Sequence, residues 1–168
     1  MVEARLDEPQ DLNAVRAFHR LFRMPVLERP TIPSSERCAL RVALLEEELE
    51  ELKRAIEARD LVGIADALCD LQYVLSGAVL EFGLGGLFKE LFDEVQSSNM
   101  SKACRTLEEA RATVEHYRKE RGVEAIIREV DGQFLVYRKS DHKVLKSINY
   151  RPANLERILQ GASRDKSQ

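Results

Sequence analysis

LEEELEELKRAIEARDLVGIADALCDLQYVLSG, Leu45 to Gly77, decides the fold of this chain. Its first half reads as an amphipathic helix. Leu45, Leu49, Leu52 and Ile56 recur at i, i+4, i+7 and i+11 and mark an apolar stripe. Beside it runs a second stripe, Leu44, Glu48, Glu51 and Ala55, which sets Glu48 and Glu51 at the edge of the buried face, while Glu46 and Glu50 point further toward solvent. The second half opens a helix expected from Leu61 to Phe82, with Ile64, Leu68, Leu71, Leu75, Ala78 and Phe82 as its core stripe. Val74 and Leu80 make its other faces apolar too, so this helix is expected to be surrounded by protein. Asp66 and Asp70 are the only charged residues between Leu61 and Leu80. They lie four apart, on the one face shared with Tyr73 and Gly77.

Like charges at that spacing oppose each other in a helix, and burial raises the cost unless something cationic lies between them. A run of Glu is by itself a common solvated face, and Lys53 and Arg54 offer it partial partners. A buried Asp can also meet an Arg, and Arg41 is a candidate. Antiparallel packing of the two helices would instead bring Glu48 and Glu51 opposite Asp66 and Asp70. Carboxylates converging in that way suit a hard divalent cation held by oxygen ligands.

Around this centre, residues 11–23 read as a first helix with Asp11 as N-cap. Pro25, Pro30 and Pro33 make the next segment an extended connector, and a helix starts near Ser34 or Ser35. Gly83, Gly85 and Gly86 break the second long helix. A further helix is expected over 86–96, with Leu87, Phe88, Leu91, Phe92 and Val95 inward, followed by a polar turn, Ser97–Lys102. Thr106 and Glu109 form a capping box for a helix ending near Gly122. The period then changes. Ala125–Val130, Asp131-Gly132 and Gln133–Arg138 read as a β-hairpin with a tight primed turn. A short strand near Val144–Ile148, a helix from Pro152 through Leu159 and a disordered tail over 161–168 follow.

The fold class is therefore mostly α, a helical core over 1–122 with a small C-terminal β-hairpin appendage over 123–160 in the same domain. With 168 residues, 33% charged and a net charge of −3, the chain suits a soluble protein and lacks the basic excess of a nucleic-acid surface. Its three cysteines form no CxxC pair and read as reduced thiols in a cytoplasmic protein. The acidic N-terminus lacks the apolar run of a signal peptide, and the stretch Leu71–Leu80 is too short to span a bilayer. Asn99 and Lys102 could contact a base or sugar and a phosphate, or simply close a helix C-terminus.

The quoted segment resembles the core of the all-α nucleoside triphosphate pyrophosphohydrolases, the MazG-like superfamily whose signature is EExxE on one helix and ExxD on the next. Glu47, Glu48 and Glu51 match EExxE, although Glu46, Glu47 and Glu50 share the spacing. Asp70 matches the aspartate of ExxD; Ala67 stands where its glutamate belongs, with Asp66 one residue earlier. DALCDLQYV (66–74), AFHRLFRMPVLERP, FDEVQSSNMSK and DHKVLKSINYRPANL resemble the phosphoribosyl-ATP pyrophosphohydrolase-like subgroup in this order.

The resemblance implies a MazG-like helical bundle that dimerises or assembles further. It implies Mg²⁺, or Mn²⁺, on Glu47, Glu48, Glu51, Asp66 and Asp70, with Glu47 as ligand or as base toward water. Asn99, Lys102, Lys146 and Tyr150 would hold a nucleoside triphosphate that is split to the monophosphate and pyrophosphate, in the manner of nucleotide-pool house-cleaning. The alternatives are phosphoribosyl-ATP hydrolysis, which usually goes with a shorter chain lacking the hairpin, and a helical dimer that binds metal or nucleotide without turnover.

Overall fold

A computed structural model describes residues 6–164, with side chains to residue 161. The chain is mostly helical, with one two-stranded antiparallel hairpin. It forms two compact units that divide between Phe88 and Lys89.

The N-terminal unit is built on three helices: α1 (Asp11–Leu21), α2 (Ser35–Glu57) and α3 (Leu61–Glu81). Ser34 caps α2, accepting from the Arg37 N–H, and Asp60 caps α3, accepting from the Val62 N–H at 3.1 Å. Each such cap stabilises its helix by about 1 kcal/mol. Asp11 is not the N-cap of α1. It is the first helical residue, and its carboxylate reaches α3 instead, accepting from Ser76 Oγ at 2.6 Å and Gln72 Nε2 at 2.7 Å. Burial pushes the Asp11 carboxyl up, but the Ser76 and Gln72 hydrogen bonds outweigh it and hold the group below the usual aspartate range. His19 is buried, its Nδ1 2.9 Å from the Pro25 carbonyl oxygen.

α3 packs against both α1 and α2. At its C-terminal end Glu81, 1% exposed, is gripped by two guanidinium groups from α2. Arg37 binds it through Nε and, at 3.0 Å, through Nη2; Arg41, 4% exposed, binds it through Nε. Arg41 thus serves Glu81 and not the aspartate pair. Gly77 makes room for this cluster, since a Cβ there would lie 2.8 Å from Arg41 Nη1. At the far end of the pair, a Cβ on Gly63 would lie 3.3 Å from the Ala55 Cβ. These points define one antiparallel register along the whole length of the two helices. The α3 helix stops at Gly83 (φ 68°), where any Cβ would run into the Arg29 carbonyl oxygen, 1.8 Å away. The proline-rich connector is pinned there through Leu27 N–H to the Leu80 carbonyl and Thr31 N–H to the Phe82 carbonyl, each 3.0 Å.

Two expectations about these helices are corrected. The half-buried face of α2 carries Leu44, Leu45, Glu48, Leu52 and Ala55, whereas Leu49 and Ile56 are exposed. The Arg37–Arg41–Glu81 clamp sets the rotation of α2, so that the inward face falls between the two stripes and takes Leu45 and Leu52 from one and Leu44, Glu48 and Ala55 from the other. The α3 helix is also not enclosed throughout. Ser76 to Glu81 are buried or nearly so, while Leu61, Val62 and Leu68 are exposed. Nor does length exclude a bilayer for α3, which has 21 residues and a mean hydropathy of 1.3 over its most apolar window. Its buried, doubly ion-paired Glu81 and its two aspartates argue against lipid.

The C-terminal unit comprises α4 (Phe88–Met100, entering it from Lys89), α5 (Leu107–Arg121), β1 (Ala125–Val130), β2 (Gln133–Arg138) and α6 (Leu155–Arg164). α5 packs on both strands. Half of the expected capping box is present: Thr106 accepts from the Glu109 N–H, whereas the Glu109 side chain reaches past Thr106 and accepts from the Arg105 N–H at 2.9 Å. The hairpin follows the expected register, with Val130 opposite Gln133 and both turn residues at positive φ. Cys104, Ala110, Val136 and Leu145 form the core between them.

Three boundaries differ from expectation. The Ser97–Met100 part of the expected polar turn is helical, because Ser98 lies two turns from Leu91 on the same buried face and its hydroxyl finds a partner. Residues 144–148 form one isolated bridge, Val144 to Tyr137, rather than a strand. Finally α6 runs past Gly161 to Arg164, since one glycine costs a helix only about 1 kcal/mol; the rest of the expected disordered tail, 165–168, lies outside the described residues.

Glu81→Ala leaves two guanidinium groups around an empty position and is expected to destabilise the chain by about 3–5 kcal/mol in urea unfolding. Burial raises the Glu81 carboxyl, but the Arg37 and Arg41 hydrogen bonds prevail and hold it low. Its contribution is therefore present above the unfolded glutamate value of about 4.3 and is lost as pH falls through the lower folded value. The stability gap between wild type and Glu81→Gln should close over that acid range; a gap constant with pH would contradict the assignment.

Candidate functional site

The register set by the Glu81 clamp and the Gly77 and Gly63 approaches runs one residue down α3 for each residue up α2. It places Glu48 opposite Asp70, with Glu51 one turn further along α2 toward Asp66. The electrostatics agree. Burial is the largest influence pushing the Glu48 carboxyl up, and Asp70 is the strongest of the charges that add to it, ahead of Glu51, Glu47 and Asp66. Glu48 thus feels the charge of all four other expected metal-ligating residues.

Their settings differ. Glu48 and Asp70 are half-buried; Glu47, Glu51 and Asp66 are exposed. Glu51 has Arg54 Nη2 at 3.4 Å, an exposed pair of little energetic weight. Glu47, Glu48, Asp66 and Asp70 have no Lys or Arg partner among the described residues. Ala67, where ExxD carries its glutamate, is 3% exposed, and Asp66 beside it points away from that buried position. Among the described residues no three Asp, Glu, His or Cys side chains already stand at metal-ligating distance of one another. The donors are carboxylate oxygens, and all but Glu51 lack a cationic partner among the described residues, which is the chemistry Mg²⁺ or Mn²⁺ prefers; the fit lies in that chemistry rather than in a preformed cage.

In the C-terminal unit the structure gathers the other four expected residues. Asn99 ends α4, and Lys102 Nζ donates to its Oδ1 at 2.8 Å. The Ser147 N–H donates to the Lys102 carbonyl at 3.2 Å, which ties the segment after β2 to the end of α4. The Lys146 N–H donates to the Tyr117 hydroxyl at 3.3 Å, and its Nζ stands 4.2 Å over the Tyr150 ring. The Tyr150 hydroxyl shares a 3.0 Å hydrogen bond with Ser98, which lowers its pKa, with Lys146 and Lys102 adding to the shift. Two ammonium groups, an amide and a phenol in one place can hold phosphate oxygens and the edge or face of a base. Asn99 and Lys102 also line a cleft of 350 Å³ walled by Val130, Leu135 and Val144.

Sequence reasoning missed Ser98, which orients Tyr150, and Glu81, which orients α2 against α3. Ser98 was detectable from its seven-residue spacing to Leu91. Glu81 was detectable from the i, i+4 arginines Arg37 and Arg41, which need a shared acid.

Replacing Asp70 by Asn removes the strongest like charge facing Glu48. In the metal-free protein the Glu48 carboxyl should then titrate closer to the ordinary glutamate value, read by carboxyl-resolved NMR. Because the folded value of Glu48 is raised, its repulsion weakens folding only above the unfolded pKa, so the variant should gain stability at neutral pH and not at pH 3. An unmoved Glu48 titration would separate the two residues.

The family model for phosphoribosyl-ATP pyrophosphohydrolase matches residues 15–99, a span that includes all five carboxylates. An uncharacterised protein of Acanthamoeba polyphaga mimivirus is 37% identical over 76 residues, covering 42% of this chain and 30% of that protein, so the match spans about a third of that relative's length. With the family model spanning half of it, the chain belongs to the phosphoribosyl-ATP pyrophosphohydrolase family, within the MazG-like all-α nucleoside triphosphate pyrophosphohydrolase superfamily.

Proposed function

We propose that this pyrophosphohydrolase-family protein is a metal-dependent enzyme that hydrolyses a nucleoside triphosphate to the monophosphate and pyrophosphate. The observation that carries the reading is the half-buried Glu48 facing Asp70, neither with a Lys or Arg partner among the described residues. Such an arrangement is costly unless a divalent ion supplies the missing charge.

Glu48, Glu51 and Asp70 would hold the ion, with Asp66 as a further ligand from the exposed side. Bound Mg²⁺ would neutralise phosphate oxygens and lower the pKa of water. Glu47, exposed and without an ion-pair partner, would either join the ligands or accept the proton of the attacking water. The water oxygen bonds to phosphorus, the bond to the pyrophosphate oxygen breaks, and pyrophosphate leaves. Separately, the set gathered within the C-terminal unit, Lys102 and Lys146 with Asn99 and Tyr150, would hold phosphate oxygens and a base or sugar. Nucleotide-pool house-cleaning is the role that suits such an activity.

The family match favours a second reading, phosphoribosyl-ATP as the substrate. The buried Ala67 in place of an acid is the observation that favours binding without turnover. Exposed aromatic residues support the proposal of a homo-oligomer: Phe18 and Phe22 lie 4.4 Å apart, and Phe18 meets Tyr73 edge-on at 5.6 Å, all three reaching solvent.

Wild-type protein with Mg²⁺ or Mn²⁺ should release pyrophosphate from at least one member of a panel of nucleoside triphosphates and phosphoribosyl-ATP. Asp70→Asn should lose this turnover by about a hundredfold or more while keeping its helical circular dichroism. Undiminished release by the variant would place the chemistry elsewhere, and nucleotide binding without release by the wild type would favour the non-catalytic reading.

A further inference from the structure

A second cleft in the C-terminal unit shares Met100, Ala103 and Gln133 with the cleft beside Asn99 and Lys102 but contains none of the residues assigned above. It measures 610 Å³, within the range of small-molecule sites, and is lined by Ser97, Ser101, Arg105, Gln133, Asn149 and Arg151 among others. Its charge is set by two guanidinium groups and one carboxylate. The carboxylate, Glu109, is already engaged: Ser147 Oγ, the Arg105 N–H and the Asn149 side chain all donate to it, which holds it ionised against the effect of burial. The Arg105 guanidinium makes no hydrogen bond or ion pair among the described residues. Arg151 spends one Nη2 contact on Ser97 Oγ, and its backbone N–H donates to Ser101 Oγ at 3.0 Å, which fixes the residue. A guanidinium has five N–H donors, so most of the donors of both arginines remain open.

The rest of the lining is suited to a ring. The Gln133 side chain has no hydrogen-bond partner among the described residues, so its amide can both donate to and accept from a base edge. Met100, 58% exposed, gives the cleft an apolar wall left in water. Two forks for a phosphate, a free amide and a soft apolar surface together make a short recognition set.

We propose that this cleft binds a nucleoside monophosphate without metal, its phosphate on Arg105 and Arg151 and its base against Met100 and Gln133. The inference stands apart from the hydrolysis proposed above, since it needs none of the five carboxylates and no divalent ion.

The test is calorimetric titration of the full chain in EDTA with uridine monophosphate, adenosine monophosphate and inorganic phosphate. At least one nucleotide should bind saturably, and more tightly than phosphate. Arg105→Ala should weaken that binding tenfold or more with at most a small fall in melting temperature, because the guanidinium makes no hydrogen bond or ion pair among the described residues and only its charge reaches Glu109. Arg105→Lys should recover part of the loss, since an ammonium restores the charge but not the fork. Asp70→Asn should bind as the wild type does. The proposal falls if no monophosphate binds, if Arg105→Ala binds normally, if phosphate alone binds as tightly as the nucleotides, or if Asp70→Asn abolishes binding.

Discussion

Arg37 and Arg41, one turn apart on α2, close on the buried carboxylate of Glu81 at the end of α3. Sliding or rotating either helix by one residue would strand that carboxylate in an apolar interior, at a cost of several kcal/mol. The clamp therefore sets both the register and the rotation of the helix pair. Everything the N-terminal unit offers chemically depends on this. With the arginines spent on Glu81, none is left for the aspartates, and the register that satisfies Glu81 sets Glu48 against Asp70.

The two ends of the helix pair thus have opposite electrostatic character. At one end a single acid is over-compensated by two bases, and one donor, Arg41 Nη2, is buried without a partner. At the other, Glu48 feels four further acids, and among the described residues only Glu51 of the five has a nearby guanidinium, which lies in solvent. Like charges across a helix interface weaken folding wherever both are ionised. A protein selected only to fold would place a lysine at one of these positions. A bound cation turns the same repulsion into affinity, and this is why the acidic end reads as a site rather than as a solvated face.

Much of this was legible in the sequence. The acid spacing, the antiparallel pair and the hairpin with its Asp131-Gly132 turn depend on local periodicity and turn chemistry, which a linear chain displays directly. The rotation of α2 was not legible. Leu49 and Ile56 are as apolar as Leu52, and only the long-range Arg–Glu clamp turns Leu44, Leu45, Glu48, Leu52 and Ala55 inward. The Asp11 carboxylate misled for the same reason: a residue fit to cap its own helix found better donors on another, Ser76 and Gln72. The extent of α4 was hidden because serines favour turns, yet Ser98 has a buried partner that holds it in the helix. The gathering of Asn99, Lys102, Lys146 and Tyr150 followed from the resemblance and not from their spacing, which a contact such as Ser147 to Lys102 has to bridge.

The central claim is that Glu48 and Asp70 are held together by register and made compatible by a divalent ion. Its most direct measurement is Mn²⁺ titration of the intact protein near pH 5, in two buffers of different ionisation heat. The account predicts saturable binding with proton release, because the metal competes with protons for the carboxylates and the upward shift of Glu48 favours the proton, and loss of both in Glu48→Gln with the fold intact. Binding of Mn²⁺ by Glu48→Gln with unchanged affinity and proton release would contradict it.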